Sequence, residues 1–258
     1  MKFIIINDIH SNSVALSAFT KSISFLSFDK IIFLGDALTY GVNVAETITL
    51  LKDLEKNYDC EFIKGNHEQI YFDFQNNKNF EYKKFPEFLL ESIYQTGNNL
   101  SSIFENEFNW KESYLYGDII FTHANLLGYG NWSYLNTEGD FSVNYEVLKL
   151  NNLKGAILGH THRAKHCIYS KNQSVSNICD SSFNKPIYIN QDEKFLVTNG
   201  SLGQPRGSCS SYLICTIESN SICLENIPLI YDVILHCKSI LGSNLSLQTK
   251  NKLLNFYR

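Results

Sequence analysis

The stretch FIIINDIH, at residues 3–10, decides the fold, because an apolar run ends there in a carboxylate and an imidazole. Four consecutive apolar residues bounded by Asn7 and Asp8 are typical of a short buried strand. Alternate residues of an extended segment point the same way, so Asp8 and His10 can reach one metal ion. Because ligands of α/β proteins bind at the carboxyl ends of strands, this stretch predicts a buried strand that carries metal ligands at its end.

Four more apolar runs end in the same way, each in residues that can hold a metal ion. They lead into Gly35-Asp36, Gly65-Asn66-His67-Glu68, Thr122-His123 and Gly159-His160-Thr161-His162. Taken singly, each of these motifs has a second reading as a turn, a helix cap or a polar strand edge. Five such motifs in one chain, each at a strand end, favour a different interpretation, in which their side chains converge on one site. Their candidate metal ligands are Asp8, His10, Asp36, Asn66, His123, His160 and His162.

The candidate ligands offer oxygen and nitrogen atoms without any thiolate, which limits the choice of metal. Such a set favours Mn²⁺, Fe, Zn²⁺, Ni²⁺ or Co²⁺ over Ca²⁺. Two such ions about 3.5–4 Å apart clamp the oxygens of a phosphoryl group and turn a shared water into a bridging hydroxide, which attacks phosphorus. Asp36 has two carboxylate oxygens and can bridge the ions. We therefore predict a site for two divalent transition-metal ions and a phosphoester as the substrate. The donor set does not resolve the series further; Mn²⁺ is the metal that we expect first, and Fe, Zn²⁺, Ni²⁺ and Co²⁺ stay open.

His67 lies next to the candidate ligand Asn66 and is not needed to complete either metal site. A histidine in this place can protonate the leaving oxygen or balance the charge on the phosphoryl oxygens. We predict that His67 is the catalytic acid or charge stabiliser of a metal-dependent phosphoric ester hydrolase.

The composition is that of a folded cytoplasmic protein. With 258 residues, of which 44% are hydrophobic, the chain can bury a full core, and we expect a single domain over residues 1–258. The net charge of −4 gives no general attraction to nucleic acid or to acidic membranes. Seven cysteines without a C-x-x-C pair indicate free thiols in a reducing cytosol. No apolar stretch approaches the length of a membrane span.

Strands and helices alternate along the first 65 residues, which predicts parallel pairing with right-handed crossovers. Ser13 is the expected N-cap of the first helix. Residues 71–117 are predicted to be a helical insert, in which Pro86 opens a helix. A second helical patch is formed by Leu100, Ile103, Phe104 and Phe108. Two placements of the insert stay open, a cap over the site or a helical pair packed on the side of the scaffold.

The last part of the chain is predicted to contain strands followed by two helices. Phe195–Thr198 is expected to be a strand, and Tyr212–Ile217 with Ile222–Ile227 a hairpin. The two helices are expected near residues 232–240 and 247–256.

The five motifs, in this order, resemble those of the calcineurin-like metallophosphoesterase superfamily, and the resemblance spans residues 8–162. It implies an α/β fold that is a four-layer α/β/β/α sandwich. It implies one ion held by Asp8, His10, Asp36 and His162, and a second ion held by Asp36, Asn66, His123 and His160. In the same resemblance, His67 is implied as the catalytic histidine.

A narrower resemblance lies in the segment TNGSLGQPR at residues 198–206. It is similar to the NPGS-x-GQPR signature of bacterial small phosphoesterases that are described as diadenosine-tetraphosphatase-like or YfcE/DevT-like. The chain departs from the wider family at Ser11, which replaces a glycine, and at Thr39-Tyr40, where an arginine-containing pair would supply a phosphate clamp. Arg206 could restore a guanidinium to the site, so we predict it as a substrate-binding residue. The alternative is a surface arginine beside Pro205.

Several substrate classes fit these residues. The leading expectation is a small phosphomonoester or phosphodiester, including a nucleotide whose base would stack on Trp132, Tyr129 or Tyr134. The enzymatic alternative is a protein Ser/Thr phosphatase, because the Gly-Asn-His-Glu motif has the form found in those enzymes. The alternative outside catalysis is a metal-binding interaction scaffold. We expect no membrane partner and no extended nucleic-acid surface, while the natural substrate and the oligomeric state stay open.

Overall fold

Runs of Ile, Leu and Phe form the central strands of two β-sheets, which a computed structural model describes over residues 1–76, 84–170, 177–207 and 209–257. In the first strand, Phe3 and Ile5 face the second sheet, whereas Ile4 and Ile6 face helices. This alternation follows from the two-residue period of a strand. Both faces of the strand are therefore buried, as its continuous apolar run predicts.

The strands, in chain order, are β1 (Lys2–Ile6), β2 (Lys30–Phe33), β3 (Cys60–Ile63), β4 (Trp110–Lys111), β5 (Ser113–Tyr116), β6 (Ile119–Thr122), β7 (Gly155–Leu158), β8 (Lys165–Tyr169), β9 (Cys179–Asp180), β10 (Ile187–Asn190), β11 (Lys194–Thr198), β12 (Ser211–Ile217) and β13 (Ser221–Pro228). The helices are α1 (Ser13–Ile23), α2 (Val44–Asn57), α3 (Asn66–Gln75), α4 (Glu87–Asn98), α5 (Glu138–Leu150), α6 (Val233–Gly242) and α7 (Leu247–Leu254). None of the helices in the described part of the chain is long and apolar enough to cross a membrane.

Each sheet has a parallel centre. The first has the order β10-β13-β12-β1-β2-β3-β4, and β1, β2, β3 and β4 are parallel, as the alternation of strands and helices predicted. The second has the order β5-β6-β7-β11-β8-β9, in which β6, β7 and β11 are parallel. The parallel strands of the two sheets carry all the candidate metal ligands at their carboxyl ends.

Three apolar clusters define four layers. One cluster joins Phe3 and Ile5 of the first sheet to Phe121 and Phe195 of the second, so the sheets pack face to face. A second cluster covers the outer face of the first sheet with α1, α2, α3 and α4. A third packs α5 on the outer face of the second sheet. The predicted four-layer α/β/β/α sandwich is confirmed.

The structure corrects two local predictions. The N-cap of α1 is Asn12 rather than Ser13, because the Asn12 side chain accepts a hydrogen bond from the Ala15 N–H at 3.0 Å. The predicted helical patch around residues 100–108 contains only a single 3₁₀ turn, Phe104–Asn106. Its apolar side chains are buried by aromatic packing without forming a helix. For example, the rings of Phe108 and Phe62 are stacked with their centres 4.4 Å apart.

The predicted insert at residues 71–117 contributes α4 and the short strands β4 and β5, while residues 77–83 lie outside the described residues. Helix α4 is hydrogen-bonded to two other segments of the chain. Glu91 accepts hydrogen bonds from the backbone and hydroxyl of Ser246 at 2.5 and 2.7 Å, and the Ser92 hydroxyl accepts one from the Tyr40 N–H at 2.8 Å. Helix α4 therefore lies beside the loop that follows β2. Its role as a cap, and the assignment of one domain, stay predictions.

Candidate metal centre and active site

The loops after β1, β2, β6 and β7 are joined to one another by backbone hydrogen bonds. Asp8 N–H donates to Gly35 O at 2.9 Å, and His10 N–H donates to Asp36 O at 3.1 Å. Between the loops of the second sheet, Gly159 N–H donates to His123 O at 2.7 Å. The two pairs of loops are connected by the His160 N–H, which donates to Asp8 Oδ2 at 3.0 Å, so candidate ligands 152 residues apart in sequence lie side by side.

Five of the seven candidate ligands have left-handed backbone conformations. The φ angles are 52° for Asp8, 51° for His10, 62° for Asp36, 65° for His160 and 57° for His162. Such a conformation is unfavourable for residues other than glycine and costs of the order of 1–3 kcal/mol each. Among the described residues, backbone strain is therefore concentrated where these side chains converge, as it commonly is at functional sites.

Two glycines allow the loops after β2 and β3 to approach each other. Gly35 has a φ of 91°, and a Cβ on it would lie 2.5 Å from the backbone nitrogen of Gly65. A Cβ on Gly65 would lie 2.3 Å from Asp36 Oδ1. Since both distances are shorter than atoms can tolerate, the Gly-Asp and Gly-Asn-His-Glu motifs need their glycines for close packing.

The first group of candidate ligands is Asp8, His10 and His162. The outer nitrogens of the two rings contact carbonyl oxygens, which can only accept: His10 Nδ1 lies 3.0 Å from Leu38 O, and His162 Nδ1 lies 2.6 Å from Gln204 O. These contacts place a hydrogen on Nδ1 of each ring, so Nε2 is the nitrogen that faces the cluster. The two Nε2 atoms lie 3.2 Å apart, and in the neutral rings that a metal ion requires their lone pairs face each other. A cation bound by both nitrogens would remove this repulsion.

The second group repeats the arrangement with the opposite tautomer in one ring. His123 Nδ1 lies 2.5 Å from Leu34 O, and His160 Nε2 lies 2.9 Å from Trp132 O. The remaining nitrogens, His123 Nε2 and His160 Nδ1, face each other 3.2 Å apart inside the cluster. Asn66 Oδ1, an acceptor, lies 3.1 Å from His123 Nε2. When His123 carries no proton on Nε2, these three atoms are all acceptors and suit a second cation.

Asp36 stands between the two groups. Its Oδ2 atom lies 3.9 Å from His10 Nε2 and 3.4 Å from His123 Nε2, while its Oδ1 accepts a hydrogen bond from the His67 N–H at 2.9 Å. One carboxylate oxygen is thus shared by both sets of ligands. This position is the one that a bridging ligand requires.

Asp8 provides an independent test of whether the residues fit a metal ion. Its Oδ2 accepts hydrogen bonds from the His160 N–H at 3.0 Å and from the Asn7 side chain. Its Oδ1 is buried, 3.3 Å from His162 Nε2, and has no hydrogen-bond partner among the described residues. A buried charged oxygen without a donor is strongly unfavourable unless a cation is bound. The donor set therefore fits divalent ions.

Both carboxylates stay ionised although they are fully buried. Burial favours the protonated acid, but nearby histidines outweigh it: His162 lowers the pKa of Asp8, and His123 lowers the pKa of Asp36, in both cases well below the ordinary range. Two negative charges are therefore available at the centre of the cluster.

The pKa values of the histidines follow from burial and from these charges. Burial lowers the pKa of His10 and lowers that of His160 to about 4, so both rings are neutral, as metal ligands must be. Burial also acts on His123, but the Asp36 carboxylate outweighs it and raises the pKa of His123 to about 9. The proton that His123 carries there is the one that a bound metal ion would displace.

His67 lies beside the cluster and has a different environment. Its Nδ1 is hydrogen-bonded to Thr39 Oγ1 at 2.7 Å, and Thr39 Oγ1 is in turn hydrogen-bonded to the Tyr71 hydroxyl at 2.6 Å. Its Nε2 lies 3.9 Å from Asp36 Oδ2, and the side chain lines the cavity next to the cluster. Unlike the four histidine ligands, His67 has no backbone carbonyl on its outer nitrogen. This difference supports a separate role for it.

Sequence reasoning missed Glu68, which connects two of the loops. The side chain is fully buried, and it accepts hydrogen bonds from the N–H groups of Asp36 at 2.7 Å, Ala37 at 2.8 Å and Gly65 at 2.7 Å. Burial and the Asp36 carboxylate raise the pKa of Glu68 to about 7, against the three donors, which favour the ionised form. The signal in the sequence was an acidic residue at the third position of a helix whose N-cap is Gly65, the spacing of a capping box.

We expect Glu68→Ala to destabilise the protein by roughly 3 kcal/mol or more, because three buried N–H groups lose their acceptor and each costs about 1–3 kcal/mol. Urea unfolding, with the midpoint followed by circular dichroism, measures this loss. Glu55→Ala, at an exposed position of α2, is the matched control and should change stability by less than about 0.5 kcal/mol. Equal midpoints for the two variants would mean that Glu68 does not join the loops.

Sequence reasoning also missed that residues 199–204 support the ligands. The Ser201 hydroxyl and the Gly203 N–H both donate to Asp8 O, at 2.8 and 3.1 Å. The Gln204 carbonyl sets the tautomer of His162, as described above. The segment that resembles a family signature therefore fixes two candidate ligands in place, through the Ser201 hydroxyl and two backbone groups.

Arg206 lines a cavity of about 250 Å³ whose wall includes Asp36, His67 and His162. Its guanidinium carbon lies 5.9 Å from the ring centres of both Tyr134 and Phe256, within range of cation–π attraction. The structure thus places Arg206 at the candidate site rather than on a remote surface. Its contact with a substrate stays a prediction.

Two of the three aromatic residues expected to stack a base line the same cavity, namely Trp132 and Tyr134. The Tyr134 ring already lies flat on His160, with ring centres 4.3 Å apart. Tyr129 lies outside the cavity, where its hydroxyl donates a hydrogen bond to Gln69 Oε1 at 2.6 Å. Tyr129 is therefore excluded as part of the cavity wall.

Comparisons with known proteins give a family and a fold. The model of the calcineurin-like phosphoesterase family matches residues 1–164. The chain is 28% identical over 236 residues to the uncharacterized protein MJ0912 of Methanocaldococcus jannaschii, a match that covers 89% of this chain and 87% of that protein.

Two solved structures have the same fold. A metallophosphoesterase from Sphaerobacter thermophilus superposes with a TM-score of 0.74 at 18% identity, covering 99% of this chain and 100% of the other. The hypothetical protein PH1004 from Pyrococcus horikoshii superposes with a TM-score of 0.74 at 14% identity, covering 98% and 97% of the two chains. At these identities the likeness shows the fold alone.

Proposed function

Because the chain belongs to the calcineurin-like phosphoesterase family, we propose that it hydrolyses a small phosphate ester with two divalent metal ions. Asp8, His10, Asp36 and His162 would hold one ion, and Asp36, Asn66, His123 and His160 the other. The single observation that carries this proposal is that, in each group, the two imidazole nitrogens not used by a backbone carbonyl face each other 3.2 Å apart. When bound, the ions would neutralise phosphoryl oxygens and lower the pKa of a water molecule.

In this proposal His67 acts on the leaving group. Its bond to Thr39 Oγ1 orients the ring, which leaves Nε2 on the side of Asp36 and the cavity. Burial lowers the pKa of His67, so a proton that it holds beside the substrate anion is readily passed to the leaving oxygen. The residue would therefore supply the proton that an alcohol needs in order to leave.

Arg206 is the proposed contact for the phosphoryl group. Its Nε is buried and has no hydrogen-bond partner among the described residues, and its Nη1 makes only a long hydrogen bond, of 3.4 Å, to the Tyr134 hydroxyl. A guanidinium with unused donors suits an anionic oxygen. Arg206 would bind the phosphoryl group in place of the arginine that is absent at Thr39-Tyr40.

Manganese is the metal that we propose, since an oxygen and nitrogen donor set without thiolate accepts it readily.

We also propose a cytoplasmic location. None of the seven cysteines forms a disulfide in the structure, which is the state expected in a reducing compartment.

The experiment that tests the function is a screen of metals against substrates. Metal-stripped protein is loaded with Mn²⁺, Zn²⁺, Ni²⁺, Co²⁺ or Fe²⁺ and assayed with p-nitrophenyl phosphate, its bis ester, nucleotides and phosphopeptides. We expect Mn²⁺-dependent hydrolysis of at least one of the generic esters. Preference for phosphopeptides would favour a protein phosphatase instead. Metal binding without any hydrolysis would favour a non-catalytic scaffold.

A further inference from the structure

We propose that the organic group of the substrate is small, uncharged and apolar, such as a single aromatic ring, and that it packs against Leu89. This inference rests on the function proposed above and specifies the substrate of the same site. It is carried by the chemistry of the cavity wall next to His67.

An apolar wall adjoins His67. Ile70 lies three residues after His67 on α3, so the two side chains share one face of that helix, and both line the cavity. Phe85, just before the N-cap of α4, and Leu89, in its first turn, line it as well. The ring of Tyr40 extends the wall, with its centre 5.3 Å from that of His67. Four side chains from three segments therefore present apolar surface beside the proposed acid.

The leaving group of the ester must meet this wall. A residue that protonates the leaving oxygen has to lie within hydrogen-bond reach of it. The carbon atoms attached to that oxygen then lie next to Ile70, Phe85 and Leu89. An apolar group gains free energy by burial there, whereas a charged group would lose its water without gaining a partner from these side chains.

The size of the cavity limits the organic group. Sites for drug-sized ligands have volumes of about 300–1,000 Å³. The cavity here has about 250 Å³, and part of it must hold the phosphoryl group beside Arg206. The remaining space suits one small ring or a short alkyl chain.

The test compares two aryl phosphates that differ by one charge, phenyl phosphate and 3-carboxyphenyl phosphate. With Mn²⁺-loaded protein we expect kcat/KM to be at least about tenfold higher for phenyl phosphate, because the carboxylate would lie against an apolar wall. Leu89→Lys should lower this ratio about tenfold, because its ammonium group can pair with the carboxylate. Leu150→Lys, which places the same charge at an exposed position on α5, should leave the ratio unchanged.

The outcomes separate this inference from the proposed function. Equal or better hydrolysis of 3-carboxyphenyl phosphate by the unmodified protein would overturn the inference and leave the phosphoesterase function standing. If the protein hydrolysed none of the four esters, namely phenyl phosphate, 3-carboxyphenyl phosphate, p-nitrophenyl phosphate and its bis ester, the function itself would be overturned. The ratio measured on the unmodified protein decides the question even if Leu89→Lys does not fold, which circular dichroism and manganese content will show.

Discussion

Asp36→Asn is expected to abolish metal-dependent hydrolysis. The change keeps the size of the side chain but removes the charge shared by both groups of ligands, and an amide nitrogen can replace the oxygen that faces His10 and His123. A loss of about 4 kcal/mol of charge stabilisation by the ions corresponds to a roughly 1,000-fold decrease in kcat/KM. The measurement is the rate with p-nitrophenyl phosphate at saturating Mn²⁺.

Metal content gives a second readout for the same variant. We expect the unmodified protein to retain two manganese ions per chain after gel filtration, and Asp36→Asn to retain one at most, as measured by mass spectrometry of the metal. Asp53→Asn, the same change at an exposed position of α2, is the control. Two tightly held ions in the Asp36 variant would show that this carboxylate does not bridge.

His67→Ala is expected to lose activity while keeping its metal ions. Removal of a general acid lowers kcat by about 10²–10⁴-fold. The four histidine ligands keep their carbonyl partners in this variant, because none of these contacts involves the His67 side chain. Metal content should therefore match that of the unmodified protein.

The acid role of His67 has a signature of its own. A good leaving group needs little protonation, so the loss on His67→Ala should be smaller for p-nitrophenyl phosphate than for phenyl phosphate. His166→Ala is the matched control, because His166 is a half-buried histidine outside the cluster that contacts Ser181 Oγ at 3.1 Å. A wild-type rate for His67→Ala with phenyl phosphate would refute the assignment.

The layered fold and the family could be predicted because their signals are local. A run such as Phe3–Ile6 is apolar on both faces, so it has to be a central strand covered on both sides. The residue that follows such a run lies at a strand end whatever the rest of the chain does. This is why Asp8, Asp36 and His123 could be named as candidate ligands before any contact was known.

The helix that was wrongly predicted around residues 100–108 shows the limit of such local signals. The apolar spacing from Leu100 to Phe108 satisfied a helical period, yet the structure contains a single 3₁₀ turn there. Trp110 accounts for the burial of this segment without a helix, because its ring packs on Phe104 and Phe108, with ring centres 5.4 and 5.3 Å away. Side chains that pack on one another in an irregular segment can imitate helical spacing.

By itself, the sequence determined which side chains are available to hold metal ions and the order in which the strands deliver them. Only the tertiary structure decided which nitrogen of His160 faces the cluster, since that choice depends on the carbonyl of Trp132, 28 residues away. It likewise decided that Glu68 joins two loops and that Leu89 reaches the cavity. The physical reason is that ligand chemistry belongs to single residues, whereas tautomers, hydrogen-bond partners and cavity walls belong to contacts between distant parts of the chain.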